Sequence, residues 1–464
     1  MSQPKRKMSA REAALKILGE HRRKKAWSDL ALNNVVNNSN LSAVETSLTV
    51  ALVYGVLQNM ALCDYYAARY SSMELKKLEP RILDILRLSI YQIVFLTKIP
   101  HNAAVNEGVK LAKQFSNQRA SGYVNALLRK ISKAMIEGSL PEITGSKLEV
   151  LSIKYSHPQW LVEEFFDVLG EEGTEAALKE NNSANVPITA QINTLNSNTD
   201  EVISMMMDQS IVAGRHEWLK DCIEFRGSGN ITRLDAFAKG HLYVQDAAAR
   251  LTVIAANPKA GDFVIDGCAA PGGKSFTSAI MMENKGLIFA CDVHAAKIRN
   301  IENGGNRLGI GIIEAIELDA SSENYAQAIA SAYRSADRKA GTPRLADVVI
   351  ADVPCSGFGV IRKKPEIRYK SQQEIAGLPE IQRKILKSLS ALVRPGGTLL
   401  YSTCTVLRCE NEDIVESFLK ENGDFEPLGF TLPGVGEVPD GMITLWPHLH
   451  GTDGFFMCKM RRTV

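Results

Sequence analysis

The sequence predicts a multidomain chain with an all-α domain over residues 1–135 and an α/β domain over 241–464. Between them, residues 136–240 read as a helical connector and a small α+β module. Three observations lead there. Apolar residues recur at three- and four-residue steps from Ser9 to about Ser132, with no alternating stretch between them. Between Ile188 and Tyr243 the texture changes to short alternating runs around one helical pattern. Further on, strand-like apolar runs alternate with helical patterns over roughly 200 residues, as in a mostly parallel sheet covered by helices.

Composition supports three folded parts. A chain of 464 residues is about three domains' worth. Its 45 % apolar content is enough for sizeable cores, and 23 % charged residues argue against global disorder. No run approaches the roughly 18 uncharged apolar residues of a membrane helix, so no membrane partner is expected. Met1–Lys7 is basic without an apolar stretch behind it, which reads as a solvated tail and not a secretory signal. The eight cysteines are scattered without a C-x-x-C pair, so neither a disulfide framework nor a metal site is expected. Reduced thiols in the cytoplasm fit, and the chain is expected to be a monomer.

The net charge of +2 conceals an asymmetry: residues 1–135 carry +12 and the remainder −10. A basic first third on an acidic body points to a polyanion partner for that third.

In that first domain, Ile17 and Leu18, then Leu48, Leu52, Val53, Val56 and Leu57, then Ile82, Ile85, Leu86, Ile90 and Ile93 mark helix faces. Pro80 opens one helix and Pro100 closes it. The densest basic cluster is His21-Arg-Arg-Lys-Lys25. Pro100-His-Asn-Ala-Ala-Val-Asn-Glu-Gly-Val-Lys-Leu-Ala-Lys113 and Gly122-Tyr-Val-Asn-Ala-Leu-Leu-Arg-Lys130 resemble the end of a NusB-like domain. That resemblance implies RNA contact through a basic helical face.

After the connector, Ser156-His-Pro marks a turn into a helix running to about Leu169, with His157 a turn residue. Ile188–Ile192 and Cys222–Phe225 read as strands, Glu201–Gln209 as a helix, and Met205-Met-Met207 as buried filler. In the last domain, expected strands at 263–266, 287–291, 312–318 and 347–351 end at Asp266, Asp292, Asp319 and Asp352. A helix near 379–393 is read as broken by Arg394-Pro-Gly-Gly397, with a strand at Thr398–Ser402 and a β-rich end from 442 to 461.

Ligands sit at the carboxyl ends of such strands. The first strand runs into Gly267-Cys-Ala-Ala-Pro-Gly-Gly-Lys-Ser275, the layout that sets backbone N–H groups and a helix N-terminus over a ligand. Two readings remain open for it. In a nucleotide hydrolase, Lys274 and Ser275 hold phosphates and Mg²⁺, and Asp352 ends the acidic metal strand. In a methyltransferase, Gly272 and Gly273 let the backbone approach S-adenosylmethionine, Asp292 accepts from the ribose hydroxyls, and Asp319 flanks the adenine. The phosphate motif needs glycine at 268, where this chain has Cys268, and Asp292 suits a ribose. Both favour the second reading.

Two cysteines sharpen it. Asp352-Val-Pro-Cys355 and Ser402-Thr-Cys404 each follow a strand of the same sheet. Carbon 5 of cytosine is too weak a nucleophile to take a methyl group from a sulfonium. A thiolate adding at carbon 6 makes carbon 5 enamine-like, dividing one hard step into easier ones. A hydrogen bond to ring N3, suited to Asp352, helps the addition, and a second group helps expel the thiolate afterwards.

Together, Asp266-Gly-Cys-Ala-Ala-Pro-Gly-Gly-Lys274, Asp352-Val-Pro-Cys355 and Ser402-Thr-Cys404 resemble the Sun (RsmB-like) family of RNA 5-methylcytosine methyltransferases. The resemblance spans nearly the whole chain and implies a Rossmann-like S-adenosylmethionine-dependent domain acting on RNA, 16S ribosomal RNA in particular. It implies a cofactor site of Cys268, Ala269, Ala270, Pro271, Gly272, Gly273, Lys274, Asp292, Asp319 and Asp352. It assigns attack to Cys404 and product release to Cys355. DNA cytosine methyltransferases use the Pro-Cys thiol for attack, so both roles require a test. Gly267, Ser275 and Val353 depart slightly from the family's usual residues. The basic run Arg362-Lys-Lys-Pro-Glu-Ile-Arg-Tyr-Lys370 is expected to hold RNA phosphates while a base leaves its stack. The rival of another class is a non-catalytic RNA-binding assembly factor that keeps the enzyme fold as a scaffold.

Overall fold

The computed structural model describes residues 8–24, 32, 34–35, 39, 41–183, 186–336 and 344–464. The basic tail Met1–Lys7, Lys25 and the side chain of Lys24 lie outside the described residues. The chain forms two compact units: Met1–Asn182 with Lys363–Tyr369, and Ser183–Arg362 with Lys370–Val464.

The first unit is helical throughout. Its helices include Ala10–Lys24, Ala43–Gln58, Met60–Tyr70, Pro80–Phe95, His101–Phe115 and Gln118–Ile136. The three- and four-residue spacing buries Ile17, Leu52, Val53, Ile85, Leu86, Ile90 and Ile131 in one core. Local chemistry sets the helix starts. Ser42 and Glu45 close a capping box, and Pro80 occupies a first turn, where its missing N–H costs nothing. The connector's helices, Lys147–Tyr155 and Gln159–Asn181, belong to this unit. The second runs well past Leu169 because the break at Gly170, φ 67°, only kinks it.

His157 is indeed a turn residue. It is buried, its Nδ1 lies 2.7 Å from the Tyr155 carbonyl, and burial holds its pKa well below the ordinary histidine value.

The second unit opens with an antiparallel sheet of β1 (Ile188–Ile192), β2 (Ala213–Arg215), β3 (Cys222–Phe225) and β4 (Leu242–Val244), in the order β2-β3-β1-β4. The helix Thr199–Asp208 packs on it. Of the methionine run, Met206 is core, whereas Met207 is exposed and so is not buried filler.

The main sheet comprises β5 (Phe263–Asp266), β6 (Leu287–Asp292), β7 (Ile313–Glu317), β8 (Ala346–Asp352) and β9 (Val393–Thr403), all parallel. Further on come β10 (Phe425–Pro427), the separate hairpin β11 (Phe430–Leu432) and β12 (Gly436–Val438), then β13 (Met442–Leu445) and β14 (Phe455–Arg462). β14 lies antiparallel against β9, and β10 and β13 pair with β14. In the order β10-β14-β9-β8-β5-β6-β7, the first parallel strand, β5, is the middle one of the five parallel strands. Helices cover both faces, so the inner strands are apolar on both sides and two cores form.

Two boundaries differ from expectation. Pro395-Gly-Gly397 lies inside β9, within an irregularity that skips from the Ala346–Val393 pair to Val348–Thr398. A bulge needs no ladder hydrogen bond from the proline, so the strand absorbs what reads as a breaker. β7 ends at Glu317, leaving Asp319 two residues beyond its strand.

Candidate active site

The sheet order reverses beside β5: β6 and β7 follow on one side, β8 and β9 on the other. The crevice at such a switch point is where open α/β sheets take ligands. The glycine-rich loop leaves β5 there, and the Pro-Cys loop leaves the adjacent β8.

The loop after β5 is tightly folded. Ala269 N–H donates to the Cys291 carbonyl and Gly272 N–H to that of Ala269, both at 2.7 Å, and the Ala270–Pro271 bond is cis. Gly272 has φ 109°, a conformation that excludes most side chains, and it starts the helix Gly273–Met281. The Ser275 hydroxyl donates to the buried Asp266 carboxylate at 2.7 Å. The other Asp266 oxygen, Oδ1, is buried without a hydrogen-bond partner, and burial pushes this carboxyl up to about 7.

Lys274 turns to the neighbouring strand. Its buried ammonium donates to Asp352 Oδ2 at 2.7 Å and lies 4.9 Å from the Phe455 ring centre. Ser402 holds the other Asp352 oxygen at 2.9 Å, donating from its hydroxyl. Phe455 and Phe456, read as core, are both buried.

Pairing of Asp352 with Ser402 in the β8–β9 register brings the two cysteine loops out side by side. The Cys355 and Cys404 sulfurs are 3.4 Å apart, and both residues are partly exposed. Their surroundings are unequal. The hydrogen bond from Cys355 and the charge of Lys274 hold Cys404 below the ordinary thiol range, although burial and Asp352 oppose them. Donating that bond, together with burial, Glu410 and Asp352, pushes Cys355 well up. Within the pair, these surroundings favour the thiolate at Cys404 and the proton at Cys355.

A buried polar scaffold fixes these loops. Glu410 accepts from Ser356 N–H at 2.9 Å and from Gln382 Nε2 at 2.8 Å, and it also takes the Ser356 hydroxyl. Asn411 Oδ1 accepts from the Thr403 hydroxyl at 2.6 Å, and its amide donates to the Thr405 carbonyl. Lys370 donates to the Ser356 carbonyl at 2.6 Å. Gly359 N–H donates to the Cys404 carbonyl, and a side chain at Gly359 would fall 1.9 Å from the Gly454 oxygen. Two backbones touch there.

Along the other half of the edge, Asp292 Oδ1 accepts from His294 N–H at 3.1 Å and pairs with Lys297 at 3.5 Å. Asp319 is exposed and accepts from the Ser321 N–H and hydroxyl. Leu318 N–H donates to the Asp292 carbonyl, which ties the two turns together.

Residues 253–461 match the family described as 16S rRNA methyltransferase RsmB/F. Residues 8–133 match the NusB family, and 157–232 match the Methyltr_RsmF/B-like, ferredoxin-like domain. The chain is 35 % identical to the probable ribosomal RNA small subunit methyltransferase B of Bacillus subtilis, covering 98 % of this chain and 99 % of that one. The chain belongs to the RsmB/F family. The protein of the same description from Synechocystis sp. is 32 % identical over 98 % of this chain and all of its own. The crystal structure of PH0851 superposes with a TM-score of 0.78 at 27 % identity, covering all of both chains.

One expectation for this RsmB/F chain is overturned. Arg368 and Tyr369 are not free for phosphates: their segment, Lys363–Tyr369, is part of the helical unit. Arg368 is fully buried and donates to the carbonyls of Gln58, Tyr155, Asn181 and Pro365 and to Asn182 Oδ1. Tyr369 donates to the Leu57 carbonyl at 2.7 Å, and Arg362 pairs with Asp453 at 3.5 Å. The run reads as a phosphate-binding segment, but carbonyls at helix ends supply the partners of Arg368 instead. The basic cluster on the first helix is also partly committed, because Arg22 pairs with the buried Asp84 at 3.1 Å.

Sequence reasoning missed Glu410, Asn411, Gln382 and the Gly359–Gly454 contact. Arg408-Cys-Glu-Asn-Glu-Asp413 has the composition of a solvated turn, and nothing local marks Glu410 as buried. Among the described residues, no group of three or more His, Cys, Asp or Glu could hold a metal ion.

Proposed function

We propose that the chain transfers a methyl group from S-adenosylmethionine to carbon 5 of a cytosine in 16S ribosomal RNA. The observation that carries this reading is the pair of thiols 3.4 Å apart beside the Lys274–Asp352 ion pair, at the sheet's switch point. Relatives described as ribosomal RNA small subunit methyltransferases support the substrate class.

The residues at the edge fit the cofactor. The orphaned Asp266 Oδ1 below the Gly272–Gly273 turn, with Asp292 one strand away, offers polar partners where an amino-acid tail and a ribose would lie. Cys268–Lys274, Asp292, Asp319 and Asp352 would hold it. When bound, S-adenosylmethionine supplies an electrophilic methyl group. The chain's own residues do the rest. Cys404 thiolate adds to carbon 6, forming a C–S bond and pushing electrons into the ring. A proton taken up from water at ring N3 neutralises the charge that the addition delivers, and Asp352, kept in place by Lys274 and Ser402, accepts a hydrogen bond from that N3–H. After carbon 5 gains the methyl group, water takes its proton, the C–H electrons re-form the carbon 5–carbon 6 double bond, and the C–S bond breaks to return the Cys404 thiolate, with the Cys355 thiol donating a hydrogen bond to the departing sulfur. The basic helical unit supplies RNA affinity in this reading.

Several cues weigh against a nucleotide hydrolase: Ser275 is turned to Asp266 and Lys274 to Asp352, so both phosphate-binding candidates have partners within the protein. The test is transfer of labelled methyl from S-adenosylmethionine to small-subunit RNA, followed by nucleoside digestion. Label in 5-methylcytidine is expected. Cofactor binding with no transfer to any ribosomal RNA would favour the assembly-factor rival, and label on another base would sink the chemistry.

A further inference from the structure

We propose that Cys355 and Cys404 form an oxidation site, at which a hydroperoxide converts the two thiols into an intramolecular disulfide that closes the site reversibly. The disulfide stands on geometry alone; its effect on activity rests on the reading of Cys404 as nucleophile.

Three features make this pair suited to the reaction. The sulfurs are 3.4 Å apart, and a disulfide of about 2.05 Å requires them to approach by about 1.4 Å more. Neither cysteine lies in a regular element: Cys355 is three residues past β8, and Cys404 is the first residue after β9. Rotation of the two side chains can supply the approach, with the sheet and the scaffold that fixes these loops left in place. Both residues are also partly exposed, as is Cys268, whose thiol burial and the nearby carboxylates push well up, whereas Cys63, Cys222, Cys291 and Cys458 are buried. Cys409 is exposed and serves as an internal control.

The electrostatics divide the labour. Peroxide reacts with thiolates, and the charge of Lys274 with the hydrogen bond from Cys355 favours the thiolate at Cys404. That sulfur attacks one peroxide oxygen: an S–O bond forms, the O–O bond breaks, and the second oxygen leaves as hydroxide, which takes up a proton. Cys404 is now a sulfenic acid. Cys355, its thiol proton passing to the departing oxygen, attacks the Cys404 sulfur. The S–S bond forms, the S–O bond breaks, and water leaves. Two thiols and one hydrogen peroxide thus give one disulfide and two waters. A sulfenic acid with a resolving thiol this near is diverted from irreversible sulfinic acid.

To test this, reduced full-length protein is treated with hydrogen peroxide, quenched by alkylation, and read by intact mass and peptide mapping. The expected result is loss of two hydrogens and a Cys355–Cys404 linked peptide. Methyl transfer should fall in proportion to the linked fraction and return with dithiothreitol. Cys409→Ser should behave as the wild type, whereas Cys355→Ser should accumulate sulfinic acid at Cys404 that dithiothreitol does not reverse. Sulfinic acid at Cys404 of the wild type without the linked peptide would overturn the proposal. So would a linked protein with undiminished transfer. A linked peptide that forms in protein showing no transfer even when reduced supports the oxidation site and overturns the methyltransferase reading instead.

Discussion

The loops after β8 and β9 deliver a cysteine each to one place, but they hold it by different means. Cys404 follows its strand directly and feels Lys274, a charge in the first turn of the helix after β5. Cys355 sits on a longer excursion pinned from behind, by Glu410 and Gln382 under Ser356 and by Lys370 on the Ser356 carbonyl. The hydrogen bond between the two thiols acts most strongly on both; beyond it, the Lys274 cation favours ionisation of Cys404, whereas burial and the Glu410 carboxylate oppose that of Cys355. Adjacent positions on a sheet edge can thus acquire opposite protonation behaviour, because the field at each sulfur is set by residues distant in sequence.

The largest expected effect breaks the comparison outright. Cys404→Ala should reduce methyl transfer to the level without enzyme, while S-adenosylmethionine binding, read by calorimetry, persists. Cys355→Ala should also lose turnover but accumulate a covalent protein–RNA adduct, visible as a denaturant-stable band of slowed mobility. An adduct in Cys404→Ala and none in Cys355→Ala would exchange the two roles.

Lys274→Met sharpens the contrast. Removing this positive charge should raise the Cys404 pKa. The pH profile of Cys404 alkylation should move upward accordingly; an unmoved profile would show that the cation does not tune the thiol.

Asp266 gives a smaller, pH-dependent effect on folding. Its carboxyl is pushed up to about 7 by burial, against about 3.9 in the unfolded chain. Between these values the unfolded chain has lost a proton that the folded chain keeps. Folding then takes up a proton, so this group's contribution to stability falls as pH rises from about 4 to about 7 and is level above. Asp266→Asn should flatten that part of the melting-temperature profile. The smallest change is expected at exposed Asp319, where Asp319→Ala should weaken cofactor binding and leave folding stability within about 0.5 kcal/mol.

Much of the site was legible because its chemistry is carried by short, local motifs. Asp266, Asp292 and Asp352 end their strands as the apolar runs predict, and the turn after Asp266 needs its glycines where they stand. Asp319 was misplaced by two residues, since apolar character continues through Leu318 after the pairing stops. The scaffold was not legible. Glu410 looks like any acid at a helix start until Ser356, 54 residues earlier, is brought beside it. Arg368 looks like a phosphate ligand until carbonyls from Gln58, Tyr155 and Asn181 converge on it. That burial also changes how the helical unit can be dissected. Removing residues 1–135 would take away Leu57 and Gln58 and strip partners from Tyr369 and Arg368.

The sequence alone determined the order of domains, the Rossmann-like alternation and which residues stand as candidates for the chemistry, because periodicity, turn residues and motif spacing act over a few residues. It could not say which cysteine holds the proton or which cations face solvent. Those depend on distances between segments far apart in the chain: 3.4 Å between two sulfurs, 2.7 Å from Lys274 to Asp352, and the carbonyls around Arg368. Electrostatic and hydrogen-bond energies depend steeply on such separations, and only the folded chain supplies them.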